Sequence, residues 1–281
     1  MAVALALIAA AIFALGTVLQ QRVAMTAADH EATRPLFMLR LARNPTWLLG
    51  IAATGVGFLF HAAALGVGEL AVVQPVLALT LVFALPLGAR LSHQRIEAID
   101  VRASMLLMFA LAAFLAISNP APGIEEPSGG RWLVFGGSLV LLSALLIWRG
   151  ANRRPALKAT LAGTAAGVLF GLHGALTKGA VEQLDSPILA QLGRWELYAF
   201  VLVGLAALGV SQIALQAGDL PPAIATESIA SPLIGVLLGI ALFEESLHED
   251  GSGKLLTVVS LGAMAAGIAL LAQRQSRGGA P

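Results

Sequence analysis

Nine stretches of this chain are each long and apolar enough to cross a bilayer, and that feature decides most of what the chain can fold into. A spanning helix needs about 20 mainly apolar residues, each adding about 1.5 Å across a hydrocarbon core of about 30 Å. The nine runs cover approximately residues 3–22, 46–67, 70–90, 100–118, 131–149, 157–179, 195–217, 220–243 and 254–273. Lipid leaves no water for exposed backbone groups, so each run must satisfy its own amides as a helix. The expected fold class is therefore an all-α integral membrane protein with about nine transmembrane helices and no room for a soluble domain. The connections around Gly68-Glu69 and Gly218-Asp219-Leu220-Pro221 hold only a few residues, so the spans they join are expected to be antiparallel neighbours.

Composition enters where it excludes alternatives. Charged residues make up 12% of the chain, against about 25% in an ordinary soluble domain. A net charge of +1 argues against a nucleic-acid-binding face. With no cysteine, there are no disulfides, thiolate metal sites or cysteine nucleophiles. The first run lacks a basic leader, and its cation, Arg22, follows it, so it is expected to remain as a span rather than be cleaved as a secretory signal.

Assigning the loops alternately to two sides puts 13 of the 17 Lys and Arg residues on one, among them Arg22, Arg43, Arg90, Arg149 and Arg274. The other side receives Arg131, Lys178, Arg194 and Lys254. By the positive-inside rule the first side is cytoplasmic, which places the N-terminus outside and the C-terminus inside the cytoplasmic membrane.

The halves resemble each other. Ile12 to Gln21 in the first span aligns with Leu169 to Lys178 in the sixth, pairing Phe13 with Phe170 and Leu19 with Leu176. Ala64 to Leu70 aligns with Ala214 to Leu220, and Leu87 to Leu91 with Leu238 to Leu242, in the same order and at nearly the same offset. The organisation expected is a first membrane repeat over 1–118, an external loop and linking helix over 119–156, and a second repeat over 157–281. Because the linking helix crosses once between them, the second four-helix repeat is inverted. Inverted repeats are an architecture of secondary transporters, whose site lies near the midplane between the repeats.

These features resemble the drug/metabolite transporter superfamily (EamA-like), with a layout closest to the NIPA-like magnesium transporter branch. The resemblance covers nearly the whole chain. It is carried by the polar-proline motifs Val72-Val73-Gln74-Pro75-Val76 and Ile229-Ala230-Ser231-Pro232-Leu233, by Leu176-Thr177-Lys178-Gly179, and by Glu244 or Glu245 at the outer end of the penultimate span. Two departures point to the superfamily rather than to magnesium. The basic run after the first helix is Gln20-Gln21-Arg22 here, and both proline motifs carry Gln or Ser where Thr is usual.

Polar groups in lipid are costly unless paired or wet, so the sparse ones mark candidate function. Glu227 is the acidic residue well inside a predicted span, about 9 Å from its cytoplasmic end counted from Pro221. It sits in Thr226-Glu227-Ser228, one turn before Ser231-Pro232, where the proline leaves a carbonyl without its helical partner. This is the expected substrate or coupling contact, against a purely packing role. His61 and His173 fall in the outer half of the bilayer, each able to donate and accept. Gln74, which aligns with Ser231, and Gln212 with Gln216 supply neutral hydrogen-bonding groups suited to a polar solute. Lys178 is expected to snorkel to the interface, and the run Glu244 to Asp250 to be a solvated external loop. Gly163, Gly167 and Gly171, and Gly235 with Gly239, form small-residue stripes for close helix packing. Thr33 to Pro45, alternating apolar and basic residues, is expected to lie along anionic headgroups.

The function expected is a secondary transporter of a small polar metabolite, amino acid or drug-like solute. The alternatives are a divalent-cation (magnesium) transporter, a lipid-linked flippase and a non-transporting membrane scaffold. No enzyme motif is present: there is no zinc-protease signature and no nucleophile–base constellation. The expected partners are a small-molecule or ion substrate and membrane lipids, without nucleic acid or cofactor, in a monomer or homodimer.

Overall fold

The structure is a computed structural model, and it describes residues 1–24, 43–91, 96–118, 120–124, 126–181, 193–216, 220–247 and 251–277. Most of the Thr33–Pro45 segment, and the stretch from His248 to Asp250, lie outside the described residues. Among the described residues ten helices follow in order: α1 Ala2–Ala24, α2 Pro45–Leu65, α3 Leu70–Leu77, α4 Thr80–Leu91, α5 Ala98–Ser118, α6 Gly129–Gly150, α7 Pro155–Val181, α8 Trp195–Gln216, α9 Leu220–Ala241 and α10 Gly251–Arg277. Together α3 and α4 make one span, so the described residues contain nine helical segments long and apolar enough to cross a membrane. The protein is a multi-pass α-helical membrane protein. Apolar side chains such as Leu133, Leu141, Leu202 and Val258 face outward, as lipid contact requires.

Local signals fix the helix ends. Asn44 caps α2, its Oδ1 accepting from the amides of Thr46 at 2.9 Å and Trp47 at 3.2 Å, with Pro45 occupying the first turn where no amide is needed. Ser128 caps α6 by accepting from the Arg131 amide. In the first turn of α5, Asp100 reaches back to the Glu97 amide at 2.8 Å, a capping-box geometry.

The third span is not the continuous helix expected for 70–90. It breaks at Ala78–Leu79, where the amides of Ala78 and Leu79 turn back three residues to the carbonyls of Pro75 and Val76. By contrast α9 runs through Pro232 without interruption, so the opened helix expected there is found instead in the third span.

Within lipid, helices gain nothing from hiding apolar surface from one another, so close packing of small residues holds the bundle. The Gly163, Gly167 and Gly171 stripe of α7 lies directly on α9: a Cβ on these glycines would strike Ala223 and Thr226, Glu227 and Ala230, and Ser231 and Ile234 in turn. Gly16 of α1 and Gly50 of α2 press together similarly, and Gln20 Nε2 donates to Thr54 Oγ1 across the same seam at 3.0 Å. α5 and α10 pack through Gly267 against Leu107 and the Ala103 carbonyl.

One end of the bundle is tied by a two-stranded antiparallel pair, β1 (Pro120–Ala121) with β2 (Ser246–Leu247), joining the segment after α5 to the segment after α9. We call this the sheet end. The amide of Ile124 also donates to the Phe243 carbonyl at 2.6 Å.

Candidate functional site

A cavity of about 820 Å³ lies among α1, α2, α3, α4, α7, α8 and α9. Six of the seven candidate residues from the sequence line it: His61 on α2, Gln74 on α3, His173 on α7, and Glu227, Ser228 and Ser231 on α9. Gln212 does not. It is exposed on α8, on the same side as Val201, Leu205 and Leu208 but one turn beyond Leu208, the last residue of α8 that lines the cavity. Its position along the span, rather than its face, separates it from the cavity.

Glu227 is held by a neighbouring helix. Its Oε2 accepts from Ser211 Oγ of α8 at 2.8 Å, and its backbone rests on Gly167 of α7. One carboxylate oxygen is thus oriented, and the other carries no hydrogen bond among the described residues. Thr226 beside it faces α7, donating to the Thr160 carbonyl at 3.2 Å.

Gln74 is clasped by glycine on two sides. A Cβ on Gly174 of α7 would coincide with the Gln74 amide, and one on Gly235 of α9 would strike its aliphatic stem. Only glycine at both places lets this side chain reach the cavity wall while remaining buried. The break at Ala78–Leu79 falls just beyond it, and Leu77 and Thr80 on either side of the break line the cavity.

The two histidines sit in an aromatic cluster. His173 stacks on Phe200 with centroids 4.5 Å apart, while Phe58 stands 6.1 Å from His173, 5.7 Å from Phe200 and 6.0 Å from His61. His61 Nε2 is enclosed and has no hydrogen-bond partner among the described residues.

Between the cavity and the sheet end the helices close tightly around Leu65, Leu70, Val73, Leu176, Leu242 and Phe243, all buried. Here two expectations are corrected. Lys178 does not snorkel to the interface, and Glu245 is not part of a solvated loop. Lys178 is 7% exposed and Glu245 2%, and they pair at 3.1 Å between Nζ and Oε1. Glu245 also accepts from the amides of Leu70 at 2.6 Å and Ala71 at 2.7 Å, capping α3 with a carboxylate from 175 residues away. Glu69, at the cap position itself, makes no such bond. Lys178 donates in addition to the Gly68 carbonyl at 3.3 Å and lies 5.3 Å from the centre of the Phe243 ring.

The backbone arranges this. Glu244 adopts a left-handed conformation, φ 56°, which turns the chain sharply after α9 and brings Glu245 back toward α3. Glu244 pairs with Arg131 of α6, whose guanidinium also donates to the Ala241 carbonyl. Trp132 packs on Phe243 and Trp195 beside it. The sequence did contain a signal for Glu245: an acidic residue immediately after a span, with a lysine at the same membrane depth on another. Residues so close to the interface are most simply solvated, and only the left-handed turn shows that this one is folded inward.

Fold and site define a class: a multi-pass helical membrane protein with an open cavity lined by seven of its helices and packed shut toward one end. No protein-family model matches the chain, and no solved structure matches it. Over 274 residues it is 30% identical to an uncharacterized protein of Corynebacterium glutamicum, a match covering 96% of this chain and 91% of the relative. The chain belongs to the family of that corynebacterial protein.

Proposed function

We propose that the protein is a secondary transporter of the drug/metabolite transporter superfamily, EamA-like, moving a small polar metabolite, amino acid or drug-like solute across the cytoplasmic membrane by alternating access. The observation that carries this reading is the cavity of about 820 Å³ with Glu227, Gln74, Ser228 and Ser231 in its wall. A membrane scaffold has no use for a lined space of that size, whereas a drug-sized solute needs about 300–1,000 Å³.

Internal duplication supports it. Gly16 of α1 meets Gly50 and Thr54 of α2, and His173 of α7 meets Phe200 and Gly204 of α8. Adding 157 to Gly16 gives His173, and adding 150 to Gly50 and Thr54 gives Phe200 and Gly204, the same offsets that align the two halves in sequence. The two halves therefore repeat one contact with exchanged side chains, small against polar in one and ring against glycine in the other. With four spans between equivalent helices, such as the first and the sixth, these cross in opposite directions, so the repeats over 1–118 and 157–281 are inverted, joined by α6 as the linking helix. The discontinuous third span beside the cavity also fits a carrier, where broken helices line substrate sites.

The distribution of basic residues places the N-terminus outside and the C-terminus in the cytoplasm. In that orientation the sheet end is external, and the buried Lys178–Glu245 pair with its packed surround is the closed outer gate of a state whose cavity belongs to the inner side. Magnesium is the second reading. It is disfavoured because the lining supplies one carboxylate, and among the described residues no three His, Asp or Glu side chains come together.

The test is uptake into proteoliposomes from an isotope-labelled extract of small metabolites. At least one solute should accumulate with the native protein and not with Glu227→Gln reconstituted to the same density. Entry no faster than into empty vesicles would remove the transport reading.

A further inference from the structure

The lining of the cavity also constrains the charge and shape of what it takes. Among the described residues that line it there is no lysine or arginine, and Glu227 carries the one carboxyl group. An anionic solute would find no opposing charge there, only a carboxyl, and would be left uncompensated in a medium of low dielectric constant. A strongly hydrated inorganic cation would exchange its water for a single carboxylate and a few hydroxyls. The remaining wall carries neutral polar groups, among them Thr54, Thr80 and Gln74, within a largely apolar surface in which Phe13, Phe58, Phe170 and Phe200 are prominent, with Leu205 and Leu208. Ring faces attract cations as well as covering apolar surface.

We propose that this cavity binds an amphipathic organic monocation, an amine whose charged nitrogen rests on the carboxyl of Glu227 while its apolar body lies against the rings of Phe58, His173 and Phe200. The proposal rests on the transport reading above, because it takes the cavity to be a solute site. The geometry is consistent at each contact. Ser211 fixes one oxygen of Glu227 at 2.8 Å, so the carboxylate is oriented before a ligand arrives and its second oxygen is left for an N–H donor. Gln74 is locked between Gly174 and Gly235 and serves as a stationary polar wall rather than a side chain that can swing aside. Phe58 and Phe200, from opposite halves of the chain and 5.7 Å apart, place two ring faces where a solute can contact both halves at once. A bridging ligand of that kind is what couples binding to relative movement of the halves.

Three probes of one carbon skeleton separate charge from shape: diphenylbutylamine, diphenylbutyric acid and diphenylbutanol, cationic, anionic and neutral near pH 7. Each is titrated calorimetrically into the purified full-length protein in a nonionic detergent. The amine is expected to bind at least tenfold more tightly than the alcohol, and the acid not to bind. Glu227→Gln should lower the amine to the affinity of the alcohol while the alcohol is unchanged, and Glu227→Asp should retain the preference for the amine. Equal binding of all three, tighter binding of the acid, no binding of any, or an amine affinity unmoved by Glu227→Gln would each overturn the proposal. If Glu227→Gln fails to fold, the ranking on the native protein decides alone. The outcome is separable from that of the transport reading. Selective amine binding without uptake into vesicles leaves the site and removes the carrier, whereas uptake of a solute without amine preference does the reverse.

Discussion

Replacing Glu245 by glutamine changes one atom of the side chain and is expected to cost more stability than removing both members of its ion pair. Three interactions converge on the native carboxylate: the Lys178 ammonium at 3.1 Å and the amides of Leu70 and Ala71 at 2.6 and 2.7 Å. Both charged side chains are almost fully enclosed. Glutamine can offer its oxygen to only one of these donors, and its own NH2 must then face another, while Lys178 stays buried with the Glu245 charge removed. Stranding one member of a buried pair costs about 3–5 kcal/mol, so Glu245→Gln should fall in that range. In Lys178→Met the carboxylate keeps its two amides, each such charge-assisted bond contributing about 1.5–3 kcal/mol, and the loss should be smaller. The double variant Lys178→Met with Glu245→Met strands no charge. It loses chiefly the cap on α3, about 1 kcal/mol. Unfolding by SDS in mixed micelles, followed by far-ultraviolet circular dichroism, ranks these variants, and the single variant Glu245→Met closes a double-mutant cycle with Lys178→Met and the double variant, with an expected coupling of at least about 2 kcal/mol. A Glu245→Gln variant within about 0.5 kcal/mol of native, or a double variant less stable than Glu245→Gln, would show that the pair is wet and the closure of the sheet end is not built on it.

Other expectations follow from single contacts. Gly235→Ala puts a methyl into the stem of Gln74 and should destabilise the protein by about 1–3 kcal/mol. Adding Gln74→Ala should recover most of that loss, and recovery of none would refute the clasp seen between Gly174 and Gly235. His61→Phe should leave stability unchanged or slightly raised, since it exchanges an enclosed nitrogen without a partner for carbon among Phe13 and Phe58. A large loss in SDS unfolding would mean that Nε2 is satisfied in the membrane. Gly167→Leu would have to push α9 away at Glu227 and Ala230, and it should lower both yield and SDS resistance, where Gln212→Leu at an exposed position of α8 should lower neither.

Sequence reading reached the spans easily, because about 20 apolar residues in succession admit one structure in lipid. It also reached most of the cavity, because polar residues such as Glu227 and Gln74 are rare enough in spans to stand out. Gln212 shows where rarity stops being sufficient: it shares a face of α8 with Leu205 and Leu208, and only the packed structure shows that the cavity ends one turn before it. The break in the third span was not legible because Pro75 and Pro86 mark that span no more strongly than Pro232 marks α9, yet the helix yields at Ala78 between its two prolines. The enclosure of Lys178 and Glu245 was missed for a different reason. It depends on a left-handed residue, Glu244, where glycine would have been the recognisable signal, and on a carboxylate capping a helix in the other half of the chain. Contacts of that range have no local periodicity to betray them.

The account depends on the central cavity being a path for solute between two inverted halves, and the absence of cysteine from the chain makes a direct measurement clean. Ser231→Cys places one thiol in the cavity wall, to be labelled in sealed membranes with a membrane-impermeant maleimide supplied to either face. The account predicts labelling from the cytoplasmic face in the resting protein, and labelling from the external face once Lys178→Met and Glu245→Met are added to release the sheet end. A thiol at position 231 that reacts from neither face in either background would contradict it.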